Sequence, residues 1–152
     1  MADPVIFETL NEIGIINQLA STKFRNVLPD GMEVSHFSVL NHLVRLGDDR
    51  TLASIARAFQ VTKPSMTNTI QRLEARGLVQ VTPDPVDGRA KRVFLTQAGR
   101  MMRDEAIARL GPAIEELAAE FSADDFKAAL PFLKRLRAYL DAERDRPGSP
   151  NR

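Results

Sequence analysis

The chain has 152 residues, of which 43% are hydrophobic and 27% charged, and it contains no cysteine. This size and composition are typical of a folded domain with a real core, and the lack of cysteine excludes disulfides, thiol redox switches and thiolate metal sites. No apolar run approaches the roughly 18 residues of a membrane span. The acidic start, MADPVIFETLNEIG, lacks a signal-peptide pattern. The expected location is the cytoplasm.

The net charge of +1 conceals an uneven distribution. Between Arg57 and Arg103, nine basic residues stand against three acidic ones, so this segment carries +6 and the rest of the chain −5. Such a segment attracts a polyanion. Charge alone fits a solvated basic surface equally well, so the motifs must decide between the two interpretations.

Apolar residues recur at helical spacing over residues 4–28 and predict a long first helix, closed by PDG at 29–31. Its apolar stripe needs a packing partner. A second helix is predicted with Ser35 as its N-cap and Gly47 as its end.

Residues 51–79, TLASIARAFQVTKPSMTNTIQRLEARGLV, predict two short helices joined by a tight turn. Thr51 caps the first helix, Thr62 caps the second, and Pro64 fits the first turn of the second helix. This is the helix-turn-helix arrangement. The runs LVQVT and RVFLT that follow are predicted strands.

The C-terminal third is predicted to be helical. Thr96 caps a long helix that we expect to bend at Gly111 and Pro112, and Ser122 begins the last helix. The polar segment DRPGSPNR, residues 145–152, is an expected disordered tail.

The second helix of the helix-turn-helix has one apolar and one polar face. On a helical wheel Met66, Ile70 and Leu73 point to the core, and Asn68 lies nearly opposite. Residues 62–71 contain no acid, whereas an ordinary surface helix usually shows Glu/Lys pairs. Small polar side chains with an arginine suit base edges and phosphates in a major groove. The predicted contacts are Thr62, Lys63, Ser65, Asn68 and Arg72.

The segment VTPDPVDGRAKRVFLT, residues 81–96, predicts a hairpin with a long, stiff, basic loop, which makes the domain a winged helix. Its prolines fix backbone torsions, and Gly88 is expected to permit a turn that other residues resist. Arg89 at the tip is predicted to enter a minor groove, with Lys91 beside it. We expect Asp87 to hold a neighbouring arginine by a charge-assisted hydrogen bond.

Three segments resemble the MarR family of bacterial transcription regulators. DPVDGRAKRVFLTQAG (84–99) is similar to the family's wing signature, VTKPSMTNTIQRLEARGLV (61–79) to its recognition helix, and VSHFSVLNHL (34–43) to its second helix. The resemblance covers nearly the whole chain. It implies a mainly α fold with a small β wing: a winged helix-turn-helix domain flanked by N- and C-terminal dimerisation helices.

The resemblance places specific residues on DNA. Ser65, Thr67, Asn68 and Arg72 fall where the family's recognition helix meets the major groove, and Arg89 falls on its wing arginine. This chain has Asn68 where the family often has Arg, and Gly88 where it often has a basic residue.

The resemblance also implies a homodimer. Residues 35–99 then form the DNA-binding domain, and residues 1–34 and 100–144 form the dimerisation region. A two-fold dimer is expected to bind an inverted repeat. The expected interface residues are Ile6, Leu10, Ile13, Phe126, Leu130, Leu133 and Leu140.

Members of the family commonly bind small aromatic or phenolic effectors in a cleft beside the dimerisation helices. The ligand shifts the protein toward the conformation that it binds best. The candidate lining residues here are Phe24, Met32, His36, Phe37 and Val39, and plain core packing is the alternative for each. His36 and His42 are too few for a zinc site, so no metal or cofactor is expected.

The sequence therefore predicts a sequence-specific regulator that binds double-stranded DNA, with repression as the family default. No Gly-rich phosphate loop, nucleophile elbow or His–carboxylate set indicates an enzyme, so no catalytic residue is expected. The alternative is a winged helix that only contacts another protein, which has no need of a segment carrying +6.

Overall fold

A computed structural model describes residues 3–29 and 31–144, which form seven helices and three short strands. The chain divides into two compact units, one ending at Leu110 and the other beginning at Gly111. The first unit holds α1 (Pro4–Val27), α2 (Val34–Leu46), β1 (Arg50–Thr51), α3 (Leu52–Ala58), α4 (Lys63–Ala75), β2 (Val79–Pro83), β3 (Lys91–Leu95) and α5 (Gln97–Arg109). The second unit holds α6 (Gly111–Glu120) and α7 (Ala123–Arg144).

The first two helices have clear end signals. Asp3 Oδ1 accepts the Val5 N–H at 3.0 Å and caps α1. The N-cap of α2 is Glu33, which has an extended backbone; the predicted cap, Ser35, is wrong, because that residue already lies inside the first helical turn. Gly47 ends α2 with a φ of 86°, as predicted.

The helix-turn-helix is confirmed with both of its caps. Thr51 Oγ1 accepts the Ser54 N–H at 3.1 Å, and Thr62 Oγ1 accepts the Ser65 N–H at 3.3 Å. In the turn between α3 and α4, Gln60 has a left-handed backbone with a φ of 52°. The turn therefore uses a conformation that a residue with a Cβ atom adopts at a cost.

The predicted hairpin is confirmed, and a third strand joins it. β2 and β3 pair antiparallel from Val79 opposite Leu95 to Pro83 opposite Lys91, which leaves residues 84–90 as the wing loop. β1 adds a two-residue edge to β3, in the order β1-β3-β2. Sequence reasoning missed β1, since two residues carry no alternation pattern.

The core of the first unit joins α2, α3, α4 and β3. On α4 the predicted apolar residues Met66, Ile70 and Leu73 are all buried, which confirms the helical wheel. Because this face is fixed against the core, the opposite polar face of α4 points away from it. The largest fully buried side chains are Val39, Leu40, Leu43, Ile55, Ile70, Leu73 and Val93.

The helix that follows the hairpin is capped as predicted but is shorter than expected. Thr96 Oγ1 accepts the Gly99 N–H at 3.0 Å and donates to the Gly77 carbonyl at 2.7 Å. α5 ends at Arg109, and α6 begins at Gly111, so the region expected to be one bent helix is two helices.

In the second unit, α7 begins as predicted, because the Asp125 N–H donates to Ser122 Oγ at 3.2 Å. The expected disordered tail, residues 145–152, lies outside the described residues. Among the helices of residues 3–29 and 31–144, none combines the length and the apolar character that crossing a membrane requires.

Candidate nucleic-acid interface

The outward side of the N-terminal half of α4 forms a polar surface, which we call the recognition face. It consists of Thr62, Lys63, Ser65, Thr67 and Asn68. Four of these are exposed; Thr67 is half-buried, and its hydroxyl donates to the Lys63 carbonyl at 2.8 Å. The Thr67 hydroxyl is therefore already engaged as a donor within the helix.

The start of α4 favours an anion. The first turn contains no acidic side chain, so the partial positive charge of the helix N-terminus is not offset within the helix. Lys63 lies in this turn and is exposed. Backbone N–H groups, a positive helix end and a lysine are the groups that bind phosphate oxygens.

The C-terminal half of α4 is tied to the segment before α2. Arg72 Nη1 donates to Glu33 Oε1 at 3.0 Å, and Arg76 Nη1 donates to the Gly31 carbonyl at 2.7 Å. Arg72 was predicted to contact bases, and it is exposed, but its guanidinium is engaged by a carboxylate. Sequence reasoning missed this pair, since 39 residues separate its partners.

The wing is organised by a buried aspartate. Asp84 Oδ1 accepts the N–H groups of Val86 at 2.8 Å and Asp87 at 2.9 Å. Its other oxygen accepts Arg92 Nε at 2.6 Å. The two backbone hydrogen bonds, together with Arg92, lower the pKa of Asp84 below its usual value of 3.8. The carboxylate is therefore ionised near neutral pH and fixes the start of the loop.

Arg92 links the wing to the turn before β1. Its Nη1 donates to both the carbonyl and Oδ1 of Asp49, at 3.0 and 2.8 Å. Hydrogen bonds to Asp49 and Asp84 raise the pKa of Arg92. A planar guanidinium can serve both partners at once because its donors point in fixed directions. Arg92 thus has a structural role, while Arg89 and Lys91 are exposed.

Two expectations about the wing need correction. The hydrogen bond to an arginine side chain that we expected of Asp87 is made by Asp84, and Asp87 Oδ1 instead accepts the backbone N–H of Arg89 at 3.0 Å. The expectation that the backbone at position 88 requires glycine is also wrong. Gly88 lies outside the left-handed region, and nothing lies within 4 Å of the position that a Cβ would take.

Two of the candidate ligand-lining residues contact each other, and two others are buried. The rings of Phe24 and Phe37 meet edge to face at 4.5 Å, and Met32 and His36 are buried. His36 Nδ1 accepts the Glu33 N–H at 3.2 Å. Burial lowers the pKa of His36 below its usual 6.5, against an opposing effect of Glu33.

The expected dimerisation residues lie on helix surfaces within each unit. In the first unit Ile6 and Leu10 on α1 are exposed by 59% and 47%, and Ile13 is half-buried. In the second unit most of the large apolar residues of α7 are exposed, among them Phe126, Leu130, Leu133 and Leu140. Large exposed apolar surfaces of this kind mark contact sites. In the part of the chain that the structure describes, no group of three or more His, Asp or Glu side chains is placed to hold a metal ion.

Comparison with known proteins gives a consistent result. A sequence profile of the MarR family matches residues 30–90. The transcriptional activatory protein BadR of Rhodopseudomonas palustris is 28% identical over 123 residues, which cover 79% of this chain and 70% of BadR.

Solved structures share the fold. The wild-type apo form of MarR from E. coli has a TM-score of 0.71 at 24% identity, covering 83% of this chain and 93% of MarR. BpsR of Bordetella bronchiseptica, described in a study of how 6-hydroxynicotinic acid regulates its DNA binding, has a TM-score of 0.70 at 23% identity, covering 86% of this chain and 98% of BpsR. With its helix-turn-helix and its wing, the chain has the winged-helix fold of these solved structures, and its residues 30–90 match the MarR family of transcriptional regulators.

Proposed function

We propose that this regulator binds double-stranded DNA sequence-specifically, as a homodimer on an inverted repeat, through the recognition face and the wing. The observation that carries the proposal is the exposed, acid-free polar surface at the start of α4, held outward by a fully apolar opposite face. Residues 35–99 act as the DNA-binding domain, and residues 1–34 and 100–144 as the dimerisation region. As for the bacterial regulators that it resembles, the proposed place of action is the cytoplasm, where bacterial DNA lies.

Each element has a distinct task in this proposal. Asn68, opposite the core face, reads base edges in the major groove, where an amide can pair with adenine. Thr62, Lys63 and the first-turn N–H groups bind phosphate. On the wing, Arg89 enters the minor groove and Lys91 contacts the backbone. Ser65, Thr67 and Arg72 complete the major-groove contacts.

The test is selection of bound fragments from random DNA, followed by a salt titration. We expect an inverted repeat with half-sites about one helical turn apart. With 6–10 phosphate contacts, affinity should fall by about 10³- to 10⁵-fold between roughly 50 and 200 mM salt. Asn68→Ala should relax preference at one position of each half-site, while Lys63→Gln should weaken binding to all sequences alike.

A winged helix that binds only protein is the competing proposal. It predicts no enrichment of any DNA sequence and no binding to duplex DNA at low ionic strength. The exposed cations Lys63, Arg89 and Lys91, on the recognition face and the wing, favour the DNA-binding proposal.

A small aromatic or phenolic acid is the proposed effector, with Phe24, Met32, His36 and Phe37 next to its site. The regulation of BpsR by 6-hydroxynicotinic acid supports this class of ligand. A thermal-shift series with benzoate, salicylate and 6-hydroxynicotinate tests the proposal, since a ligand of the folded state raises Tm.

Repression is the proposed output, although the relative BadR is named an activatory protein. Transcription in vitro from the selected operator distinguishes the two directions. A repressor lowers transcript yield on binding, whereas an activator raises it.

A further inference from the structure

Arg72 lies on the same side of α4 as the recognition face, but its side chain does not extend along that face. It follows Asn68 by four residues, so the two side chains leave the same face of the helix. Its guanidinium nevertheless turns to Glu33, with Nη1 at 3.0 Å from Oε1. The cation best placed to extend the recognition face is thus bound within the protein.

The carboxylate of Glu33 is held by elements other than Arg72. Glu33 is the N-cap of α2, and its N–H donates to the buried His36 at Nδ1. Ser35 Oγ donates to Glu33 Oε2 at 3.4 Å. Just before it, Met32 is buried and the Gly31 carbonyl accepts Arg76 Nη1. The position of Glu33 next to α4 is therefore a property of the fold.

The acid of α4 itself is directed elsewhere. Glu74 Oε1 accepts the Val81 N–H at 3.0 Å and so joins α4 to β2. Glu33 is the carboxylate that pairs with Arg72, and it comes from another helix.

The pair is weak enough to exchange partners. The side chains of Arg72 and Glu33 are 55% and 60% exposed, and exposed ion pairs contribute little to stability. A DNA phosphate can accept the same charge-assisted hydrogen bonds from the guanidinium. On the basis of the proposed DNA binding, we propose that Glu33 is a positioning residue that competes with DNA phosphate for Arg72 and thereby sets the affinity of the recognition helix.

Glu33→Gln tests this role, because it removes the charge and keeps the side-chain length and an acceptor oxygen. In fluorescence anisotropy with the selected operator, we expect binding about fivefold tighter, which is the most that an exposed pair supplies, and a salt dependence steeper by about one phosphate contact. Glu105→Gln is the matched control, since it releases Arg109 from a similarly exposed pair on α5, and should change neither quantity.

A second variant separates competition from simple repulsion. In an Arg72→Gln background, Glu33→Gln should give no gain. A gain that persists there would come from removing a negative charge near DNA and would overturn the role assigned to Arg72. Unchanged or weaker binding of Glu33→Gln, at an unchanged Tm, would overturn the competition. These outcomes presuppose that the unaltered protein binds DNA; if it did not, the proposed function would fail first, before any variant is compared.

Discussion

Gly99 shows how one residue can fix the position of a helix. A Cβ at this position would overlap the Leu78 carbonyl oxygen and lie 2.8 Å from Leu95 Cδ1. Because the oxygen belongs to the backbone, it cannot rotate away. The glycine that follows the Leu-Thr strand end therefore permits close contact between α5 and the start of the hairpin.

We expect Gly99→Ala to destabilise the protein by at least about 3 kcal/mol, as for a severe overpacking change. Urea unfolding followed by circular dichroism measures the loss. Gly88→Ala is the control, because its Cβ meets nothing within 4 Å, and its stability should stay within about 0.5 kcal/mol of the unaltered protein. Equal stability of the two variants would contradict the close contact.

Position 88 allows a substitution that should strengthen DNA binding. Since the wing loop has room and needs no left-handed residue at this position, Gly88→Arg should fold normally. It adds a cation next to Arg89 at the wing. We expect tighter DNA binding with a salt dependence steeper by about one contact, measured by anisotropy. Gly88→Gln adds length without charge; if it gave the same gain, charge would not be the cause.

The lowered pKa of His36 predicts that the protein loses stability as the pH falls. Its folded-state pKa lies below the unfolded value of 6.5, so the unfolded chain binds more protons at low pH. The free energy of unfolding should therefore fall as the pH is lowered through 6.5 towards the folded-state pKa. His36→Asn keeps an acceptor for Glu33 without titrating in this range. Urea unfolding from pH 8 to pH 5 should show a steeper decline for the unaltered protein, and parallel curves would count against this assignment.

At the scale of elements, the wing depends on Asp84 more than on the residues at its tip. Asp84→Asn removes the charge that Arg92 and two backbone N–H groups share. We expect roughly tenfold weaker DNA binding, because the loop loses its preorganisation, and faster hydrogen exchange at Val86 and Asp87. Asp87→Asn should have a smaller effect, since its carboxylate accepts one backbone N–H in the turn. An equal effect of both changes would refute the central role of Asp84.

Local signals explain which elements were predictable from the sequence. Thr51, Thr62 and Thr96 act through neighbours three residues away, so a short window contains all the information. β1 forms only through its pairing with β3, which lies more than 40 residues ahead. Ser35 was mistaken for a cap because Glu33, a weaker N-cap residue type, is fixed there by long-range contacts.

The candidate site, like the fold, was predictable from the sequence where its features depend on neighbouring residues. The helical wheel identified the outward face of α4, because the periodicity of apolar residues is a local property. The partners of Arg72 and Arg92 were not predictable, since Glu33 and Asp49 lie about 40 residues away in the chain. The sequence could also not distinguish Asp84 from Asp87 as the wing anchor, because only burial separates them.

At the scale of the whole molecule, the proposed homodimer is tested through the exposed apolar residues of α1 and α7. We expect Leu10→Asp in α1, and separately Leu133→Asp in α7, to convert a dimer to monomers in sedimentation experiments. A charge in an apolar interface has no partner there. DNA affinity should fall by about 100-fold or more as bivalent binding is lost.

The control for these changes is Asn11→Asp, which adds the same charge beside Leu10 at a polar exposed position of α1. It should leave the dimer intact. If both leucine variants sedimented like the unaltered protein, the interface would have to lie elsewhere.

The left-handed backbone of Gln60, between α3 and α4, predicts how stability responds to a change at this position. A side chain in that conformation costs roughly 1–2 kcal/mol, and glycine adopts it without strain. Gln60→Gly should therefore raise Tm, by less than this strain alone implies because glycine also makes the unfolded chain more flexible, and it alters no side chain proposed to contact DNA.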